Sequence, residues 1–165
     1  MSAELAVVRE ISVSNFEIRL LNEAEVLKYE KQIKSSFVGA LPEEQQSIES
    51  IDALWKLYLM KKIDIWGFFG TWPDDTRKMF GCMTTMTCPA FSVLKAAHLF
   101  IYTFFKLPNV TVTDEQWKAG FANVRAWAAE QKAPAIEGLS AAPEMIRIAK
   151  AVGFDDSVRR LYLEV

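Results

Sequence analysis

The sequence contains little histidine, cysteine or net charge, and each shortage excludes a class of function. One histidine and two cysteines occur among 165 residues, without CxxC or HxxxH spacing, so we predict no metal site. The formal net charge is −2, which provides no basic field, and we expect no nucleic-acid partner. No run of about 18 consecutive apolar residues occurs, so we expect no membrane span.

The two cysteines, Cys82 and Cys88, lie six residues apart in one predicted strand. An even spacing places both side chains on one face, too far apart along the strand for a disulfide between them. We therefore predict two reduced core thiols. The N-terminal sequence MSAEL has no basic region followed by an apolar stretch, so we expect no secretory signal peptide and cytoplasmic synthesis.

The residues that are present predict one soluble domain over residues 1–165. This length falls within the roughly 100–200 residues of a typical domain. Hydrophobic residues make up 51% of the chain, and no repeat or Gly/Ser linker divides it. The first dozen residues are apolar at Leu5, Val8 and Ile11, and we predict that residues 1–12 form an arm that docks on a neighbour.

Hydrophobic periodicity predicts ten elements in the order β-α-α-β-β-β-α-β-α-β. Alternating apolar residues predict strands, and apolar residues at i, i+3, i+4 and i+7 predict helices. The predicted strands are residues 15–21, 65–72, 78–88, 96–105, 133–140 and 158–165, and the predicted helices are residues 22–39, 50–63, a segment from Thr113, and 143–152. The three consecutive strands in the middle of the chain are predicted to be antiparallel.

Two of the predicted helices have recognisable capping residues. TDEQ at residues 113–116 is a capping box, in which the side chains of Thr113 and Gln116 each accept a hydrogen bond from the other residue's amide. The last helix is followed by Gly153 and Phe154. Gly153 can adopt the left-handed C-cap conformation, and Phe154 is expected to fold back onto the helix.

Together with the element order, two segments resemble the Gcn5-related N-acetyltransferase (GNAT) family. They are AIEGLS at residues 135–140, similar to the family's fifth strand, and APEMIRIAKAVGF at residues 142–154, similar to its helix ending in Gly-Phe. The resemblance covers nearly the whole chain. It implies an α/β (α+β) fold with a mixed, mostly antiparallel sheet and helices on both faces.

The resemblance also implies where acetyl-CoA would bind, namely in a gap where the fourth and fifth strands separate. Its pyrophosphate would lie on backbone amides at the start of the next helix. The residues that would contact the cofactor are Phe104, Phe105, Asn109, Thr113 and Gln116. However, the loop at residues 106–113 contains no glycine, Pro108 has no amide hydrogen, and Asp114 and Glu115 place two carboxylates in the first helical turn. We therefore expect no cofactor.

The catalytic positions implied by the resemblance are also replaced. The family's tyrosine, which protonates the departing CoA thiolate, falls on Ala149, and the asparagine that often starts that helix falls on Ala142. If the protein is active, the candidate acids and bases are His98, Tyr102 and Glu137. Simple alternation places His98 and Tyr102 on one face of the fourth strand. Ordinary strand packing explains the same residues.

The aromatic residues at positions 66–72 predict an interaction surface. Alternation directs Trp66 and Phe68 to one face of the strand and Phe69 to the other, so at least one large ring is expected to be exposed unless something covers it. The predicted interface residues are Trp66, Phe69 and Trp72.

Two functions are compatible with this pattern. We favour a GNAT-like domain without acetyltransferase activity that binds other proteins or copies of itself; the alternative is an acetyl-CoA-dependent N-acetyltransferase of unknown acceptor. Residues around Trp117, Trp127 and Ala128, and residues 136–154, also resemble small GNAT-like proteins encoded by tailed phages. That resemblance implies a virion-associated protein that is incorporated in a phage particle, although fold does not fix function.

Overall fold

The computed structural model describes residues 9–41, 43–88, 98–138 and 142–155. In chain order, the strands are β1 (Ile11–Ser12), β2 (Ser14–Leu20), β3 (Asp64–Thr71), β4 (Arg77–Cys88), β5 (His98–Lys106), β6 (Val110–Thr111) and β7 (Ile136–Gly138), and the α-helices are α1 (Glu23–Lys28), α2 (Glu30–Ala40), α3 (Ile48–Leu59), α4 (Asp114–Glu130) and α5 (Pro143–Ala151). The predicted strand at residues 158–165 lies outside the described residues.

Five strands form one mixed sheet in the order β2-β3-β4-β5-β7. The pairs from β2 to β5 are antiparallel, whereas β5 and β7 are parallel. The prediction of a mixed, mostly antiparallel sheet is therefore confirmed, as is the antiparallel arrangement of the three central strands.

Helices cover both faces of this sheet. One core cluster packs Trp117 of α4 and Ile148 of α5 against Trp66 of β3. The other packs residues of α1, α2 and α3 against Phe69 of β3. Because β3 is buried on both faces, its sequence DIWGFFGT is largely apolar instead of alternating between apolar and polar residues.

The predicted first helix, residues 22–39, is two helices that meet at Tyr29. Asn22 and Glu25 form a capping box at the start of α1. At the break, the Tyr29 ring packs edge-on against Phe69, with 5.6 Å between the ring centroids. The break therefore places the Tyr29 ring on the sheet. The apolar stripe in the sequence predicted one continuous helix and did not reveal this contact.

Two short strands were not predicted, and they revise the proposed N-terminal arm. β1 pairs in parallel with β6, with Ile11 opposite Val110 and Ser12 opposite Thr111. Ile11 also packs against the core. The prediction that these two residues belong to a docking arm is therefore wrong, because they pair within their own chain. Residues 1–8 lie outside the described residues.

Both predicted helix ends are confirmed. At α4, Thr113 and Gln116 form the complete capping box. At the end of α5, Gly153 has a φ of +96°, a conformation that L side chains rarely adopt. The Phe154 amide donates to the Ala149 carbonyl at 2.9 Å, so the backbone turns back onto α5 as expected. The Phe154 ring lies edge-on to Phe121 of α4, with 6.1 Å between the ring centroids.

Cys82 is a free, buried thiol, whereas the side chain of Cys88 lies outside the described residues. Burial raises the pKa of the Cys82 thiol to about 12, although a hydrogen bond with Ser36 opposes the shift. At pH 8, Cys82 in a Cys88→Ser variant is expected to react with an aromatic disulfide reagent about 1,000-fold more slowly in the native than in the unfolded protein, because the thiolate is the nucleophile.

The raised pKa of Cys82 also predicts how the free energy of unfolding depends on pH. An unfolded thiol ionises near its ordinary pKa of 9.0, whereas the native thiol keeps its proton up to about pH 12. The stabilising contribution of Cys82 is therefore complete below pH 9 and is lost as the pH rises towards 12. Absorbance-monitored labelling and urea titrations at several pH values measure both effects. Labelling of the native Cys88→Ser protein at the unfolded rate contradicts the assignment.

Candidate functional site

β5 and β7 form three parallel residue pairs among the described residues. The pairs are Leu99 with Ile136, Phe100 with Glu137, and Ile101 with Gly138. β5 continues to Lys106, and β7 is described as far as Gly138, because residues 139–141 lie outside the described residues. The resemblance implies a gap beyond these pairs, beside residues 102–106 of β5, and we refer to this region as the gap.

A β-bulge in β5 lies at the start of this gap. Thr85 of β4 pairs with Ile101, and Thr84 pairs with Thr103, so Tyr102 is an additional residue without a counterpart. The hydroxyls of Thr84 and Thr103 are hydrogen-bonded at 2.8 Å, which fixes the register beyond the bulge. Bulges redirect side chains and are common beside active sites.

The three candidate acids and bases lie on the strands that border the gap. The bulge changes the alternation of β5, because Ile101 and Phe104, three residues apart, both pack against the same core cluster. The regular pleat that predicted a shared face for His98 and Tyr102 therefore does not extend through this strand. Tyr102 is 48% exposed and Glu137 is exposed, while the side chain of His98 lies outside the described residues.

The loop after β5 uses its backbone groups within the fold. The Leu107 amide donates to the Phe80 carbonyl at 2.8 Å, and the Val110 amide donates to the Leu107 carbonyl at 3.1 Å. The Asn109 carbonyl accepts from the Ile11 amide at 2.8 Å. An anion site at a helix start needs free amide hydrogens, and these two amides are not free.

The first turn of α4 is closed by its own side chains. The Thr113 amide donates to Gln116 Oε1 at 2.8 Å, and the Gln116 amide donates to Thr113 Oγ1 at 3.2 Å. Gln116 Nε2 also donates to the Val13 carbonyl at 2.9 Å. Thr113 and Gln116, predicted as cofactor contacts, thus cap the helix and attach it to the N-terminal strands.

Two ion pairs connect α5 to the other side of the gap. Lys106 at the end of β5 lies 3.1 Å from Glu144, with only 8% of its side chain exposed, and its Nζ donates to the Val110 carbonyl at 2.9 Å. Arg147 lies 2.6 Å from Asp114 in the first turn of α4. Both cations therefore already have carboxylate partners.

The two aromatic cofactor candidates pack into opposite faces of the sheet. Phe104 lies 4.9 Å from Phe68 and 5.6 Å from Trp117, measured between ring centroids. The Phe105 ring occupies the space beside Gly39 of α2, where an added Cβ would overlap it. Both rings contribute to packing between the sheet and its helices.

The interface prediction is wrong for Trp66 and Phe69, because both rings are buried. Trp66 packs edge-on against Trp127 of α4 at 5.4 Å, and Phe69 is covered by Tyr29 on the opposite face. Helices on both faces of the sheet supply the cover. Trp72 is half-buried against the core.

Asp64, at the start of β3, was not predicted as a functional residue. Burial raises the pKa of its carboxyl group. Asp64 pairs with Thr85, which pairs in turn with Ile101, so Asp64 lies two strands, roughly 10 Å, from the gap. Asp64 could have been noticed in the sequence as a carboxylate at the start of an otherwise apolar strand.

Two structural features bear on metals and membranes. Within residues 9–41, 43–88, 98–138 and 142–155, no three His, Cys, Asp or Glu side chains are grouped as metal ligands. In the same part of the chain, no helix combines the length and apolarity needed to cross a bilayer.

Solved acetyltransferases share this architecture. The aminoglycoside acetyltransferase meta-AAC0020, from an uncultured soil metagenomic sample and solved with trehalose, gives a TM-score of 0.65 at 14% identity, covering 91% of this chain and 96% of that chain. AAC(6')-Iy with a CoA bisubstrate analogue gives 0.63 at 13% identity, covering 92% and 99%. A GNAT family acetyltransferase of Staphylococcus aureus gives 0.59 at 14% identity, covering 92% and 100%.

These similarities show that the chain has the GNAT fold, and the fold class predicted from the sequence is confirmed. The sequence matches no protein-family model and no curated protein. Identities of 13–14% establish the fold alone, so function depends on the residues at the gap.

The described residues do not fit the pyrophosphate of acetyl-CoA. Pro108 has no amide hydrogen, and the amides of Leu107 and Val110 donate within the fold. Asp114 and Glu115 place two carboxylates in the first turn of α4. This combination removes hydrogen-bond donors and adds negative charge where an anion would need the opposite.

Proposed function

We propose that this chain is a GNAT-fold domain that binds proteins and does not transfer acetyl groups. The loop after β5 is the observation that carries the proposal, because its Leu107 and Val110 amides are used within the fold. Electrostatic repulsion also opposes the binding of acetyl-CoA. Glu115 would repel a phosphate by about 1 kcal/mol across a solvated separation near 4 Å, whereas the charge of Asp114 is offset by its ion pair with Arg147.

Exposed apolar side chains support the binding role. Those on the helical face are Leu27, Ile48, Leu59 and Met60. The net charge of −2 favours protein partners over nucleic acid. The resemblance to small phage-encoded proteins extends the proposal to virion assembly, in which the partners are copies of this chain or other virion proteins.

Calorimetric titration with acetyl-CoA and with CoA, at low and moderate salt, tests the proposal. We expect no binding up to about 1 mM, because the Leu107, Val110 and Gln116 amides are used within the fold, so that too little of the favourable anion interaction remains to reach micromolar affinity. Circular dichroism of the same sample controls for folding. Micromolar binding of either ligand overturns the proposal.

A neutralised variant separates the two causes of weak binding. Asp114→Asn with Glu115→Gln removes both carboxylates from the first turn of α4, while leaving the loop backbone in place. We expect this variant also not to bind CoA. Binding by the variant alone would mean that charge is the only obstacle and that the argument from the loop amides is wrong.

The alternative function, acetyl transfer, is supported by the fold shared with solved acetyltransferases and by the bulge at Tyr102. Asp64, with its raised pKa, is the additional acid or base candidate for that reaction. Aminoglycosides are the first acceptors to screen, because two of the similar structures are aminoglycoside acetyltransferases. CoA release in that screen, dependent on the acceptor, favours the enzyme over the binding domain.

A further inference from the structure

Two strongly exposed apolar side chains face one groove between the helices. Leu27 of α1 is 69% exposed, and Ile48 at the start of α3 is 75% exposed. With Val38 and Ile51 they line a groove of about 660 Å³. Single exposed apolar residues are ordinary on protein surfaces, whereas two that share a groove indicate a binding surface.

Opposite charges lie on the two walls of this groove. Lys28 and Lys31 belong to the α1–α2 wall, and Asp52 belongs to the α3 wall. Lys34, also on the first wall, already pairs with Glu30 at 2.6 Å. Within the part of the chain that the structure describes, no ion pair joins Lys31 to Asp52. Each wall therefore presents a charge that a complementary surface could neutralise.

We infer that this groove is the interface of a two-fold dimer of the chain. A two-fold axis along the groove brings α3 of one copy against the α1–α2 wall of the other, and every contact occurs twice. Ile48 then packs against Leu27 of the other copy, and Asp52 meets Lys31 of the other copy. A second copy fits better than a peptide of one charge sign, because the two walls carry opposite signs.

The apolar surface extends along α3 beyond the groove. Leu59 is 63% exposed and lies eleven residues after Ile48, which is about three helical turns and places it on the same side of α3 roughly 16 Å away. A stable interface needs about 800 Å² from each partner. We therefore expect the contact to follow the length of α3 beyond the groove.

This inference rests on the proposed function and names a second copy of the chain as the partner. An experiment can contradict the dimer without contradicting the proposed function, and the reverse. The groove lies on the α1–α3 face of the sheet, and the ion pairs at the gap involve α4 and α5 on the other face. A monomer that binds no CoA overturns the dimer and leaves the proposed function standing. A dimer that binds CoA at micromolar concentration overturns the proposed function and leaves the dimer.

Light scattering and sedimentation of the full chain between about 1 and 100 µM provide the first test. We expect a mass near twice the 18.7 kDa of one chain at the upper concentrations. Leu27→Glu and Ile48→Glu are each expected to raise the dimer Kd by about tenfold or more, because each change occurs twice in the interface. Ile146→Glu, at a 38% exposed apolar position on α5, is the control, and its Kd should stay within about twofold.

Charge reversal provides the second test. Lys31→Glu and Asp52→Lys each place like charges opposite one another at both ends of the interface, so each variant alone should dimerise more weakly. Mixing the two variants should restore the dimer as a heterodimer, because Glu at position 31 then faces Lys at position 52 and the native pair forms at the other end. A monomer at 100 µM, a dimer unaffected by Leu27→Glu, or no recovery on mixing would each overturn the inference.

Discussion

Replacing Trp117 by alanine is expected to lower the free energy of unfolding by about 3–5 kcal/mol, the range for removing a large aromatic side chain from a core. Trp117 is fully buried in the first half of α4. Its ring centroid lies 4.9 Å from Phe16, 5.6 Å from Phe68 and Phe104, and 6.4 Å from Phe121. The substitution therefore removes the ring that joins β2, β3, β5 and α4. Urea titration monitored by circular dichroism measures the loss.

A comparison of two phenylalanine variants isolates the hydrogen-bonding part of this effect. Trp117 Nε1 is buried without a hydrogen-bond partner, whereas Trp66 Nε1 donates to Thr85 Oγ1 at 3.0 Å. Both variants lose a similar volume, but Trp66→Phe also leaves the Thr85 hydroxyl without this donor. We expect Trp66→Phe to be less stable than Trp117→Phe by about 1 kcal/mol. Equal stabilities contradict the hydrogen-bond argument, and a loss below 1 kcal/mol for Trp117→Ala contradicts the packing argument.

The regular elements of this fold could be predicted because their signals are local. β4 and β5 are long strands, so the pattern of apolar and aromatic residues along each one is clear even where a single position departs from it. The caps at Thr113 and Gly153 depend on residues within one turn, so the sequence contains all of their chemistry. The order of these elements then restricts the possible topologies.

The features that the sequence did not predict depend on contacts between distant segments. β1 and β6 are two residues each, too short to show a period, and they exist because they pair with each other. The bulge at Tyr102 is a property of the register between β4 and β5. Burial of Trp66 and Phe69 required knowing that helices cover both faces of β3, which alternation within one strand does not reveal.

At the candidate site, too, some features follow from neighbouring residues in the sequence and others from contacts between distant segments. The missing glycine, Pro108 and the two carboxylates at the start of α4 are visible in the sequence, and they predict poor anion binding. The ion pairs of Lys106 with Glu144 and of Arg147 with Asp114 join residues more than thirty positions apart, so only the folded chain reveals them. Together these two ion pairs attach α5 to the end of β5 and to the start of α4.

Gly81→Ala is expected to lower the free energy of unfolding by about 2–3 kcal/mol, because overpacking against backbone cannot be relieved by a side-chain rotation. Gly81 in β4 pairs with Lys106 in β5. An added Cβ would overlap the carbonyl oxygen of Phe105 and lie 2.8 Å from the Cα of Lys106. Relief requires β5 to move away from β4 at its C-terminal end, so a glycine is needed where the two backbones approach closely.

Gly138→Ala is the matched control, because Gly138 lies on β7, the other neighbour of β5. Its added Cβ would be 3.6 Å from the Cβ of Ile101, an ordinary contact, and we expect a change within about 0.5 kcal/mol. The Gly81 variant should also displace Lys106 from Glu144, so amide hydrogen exchange at the start of α5 should accelerate in Gly81→Ala and not in Gly138→Ala. If exchange in α5 is unchanged while stability falls, the Lys106 ion pair does not hold α5 across the gap, and the argument for a closed cofactor region depends on the loop amides alone.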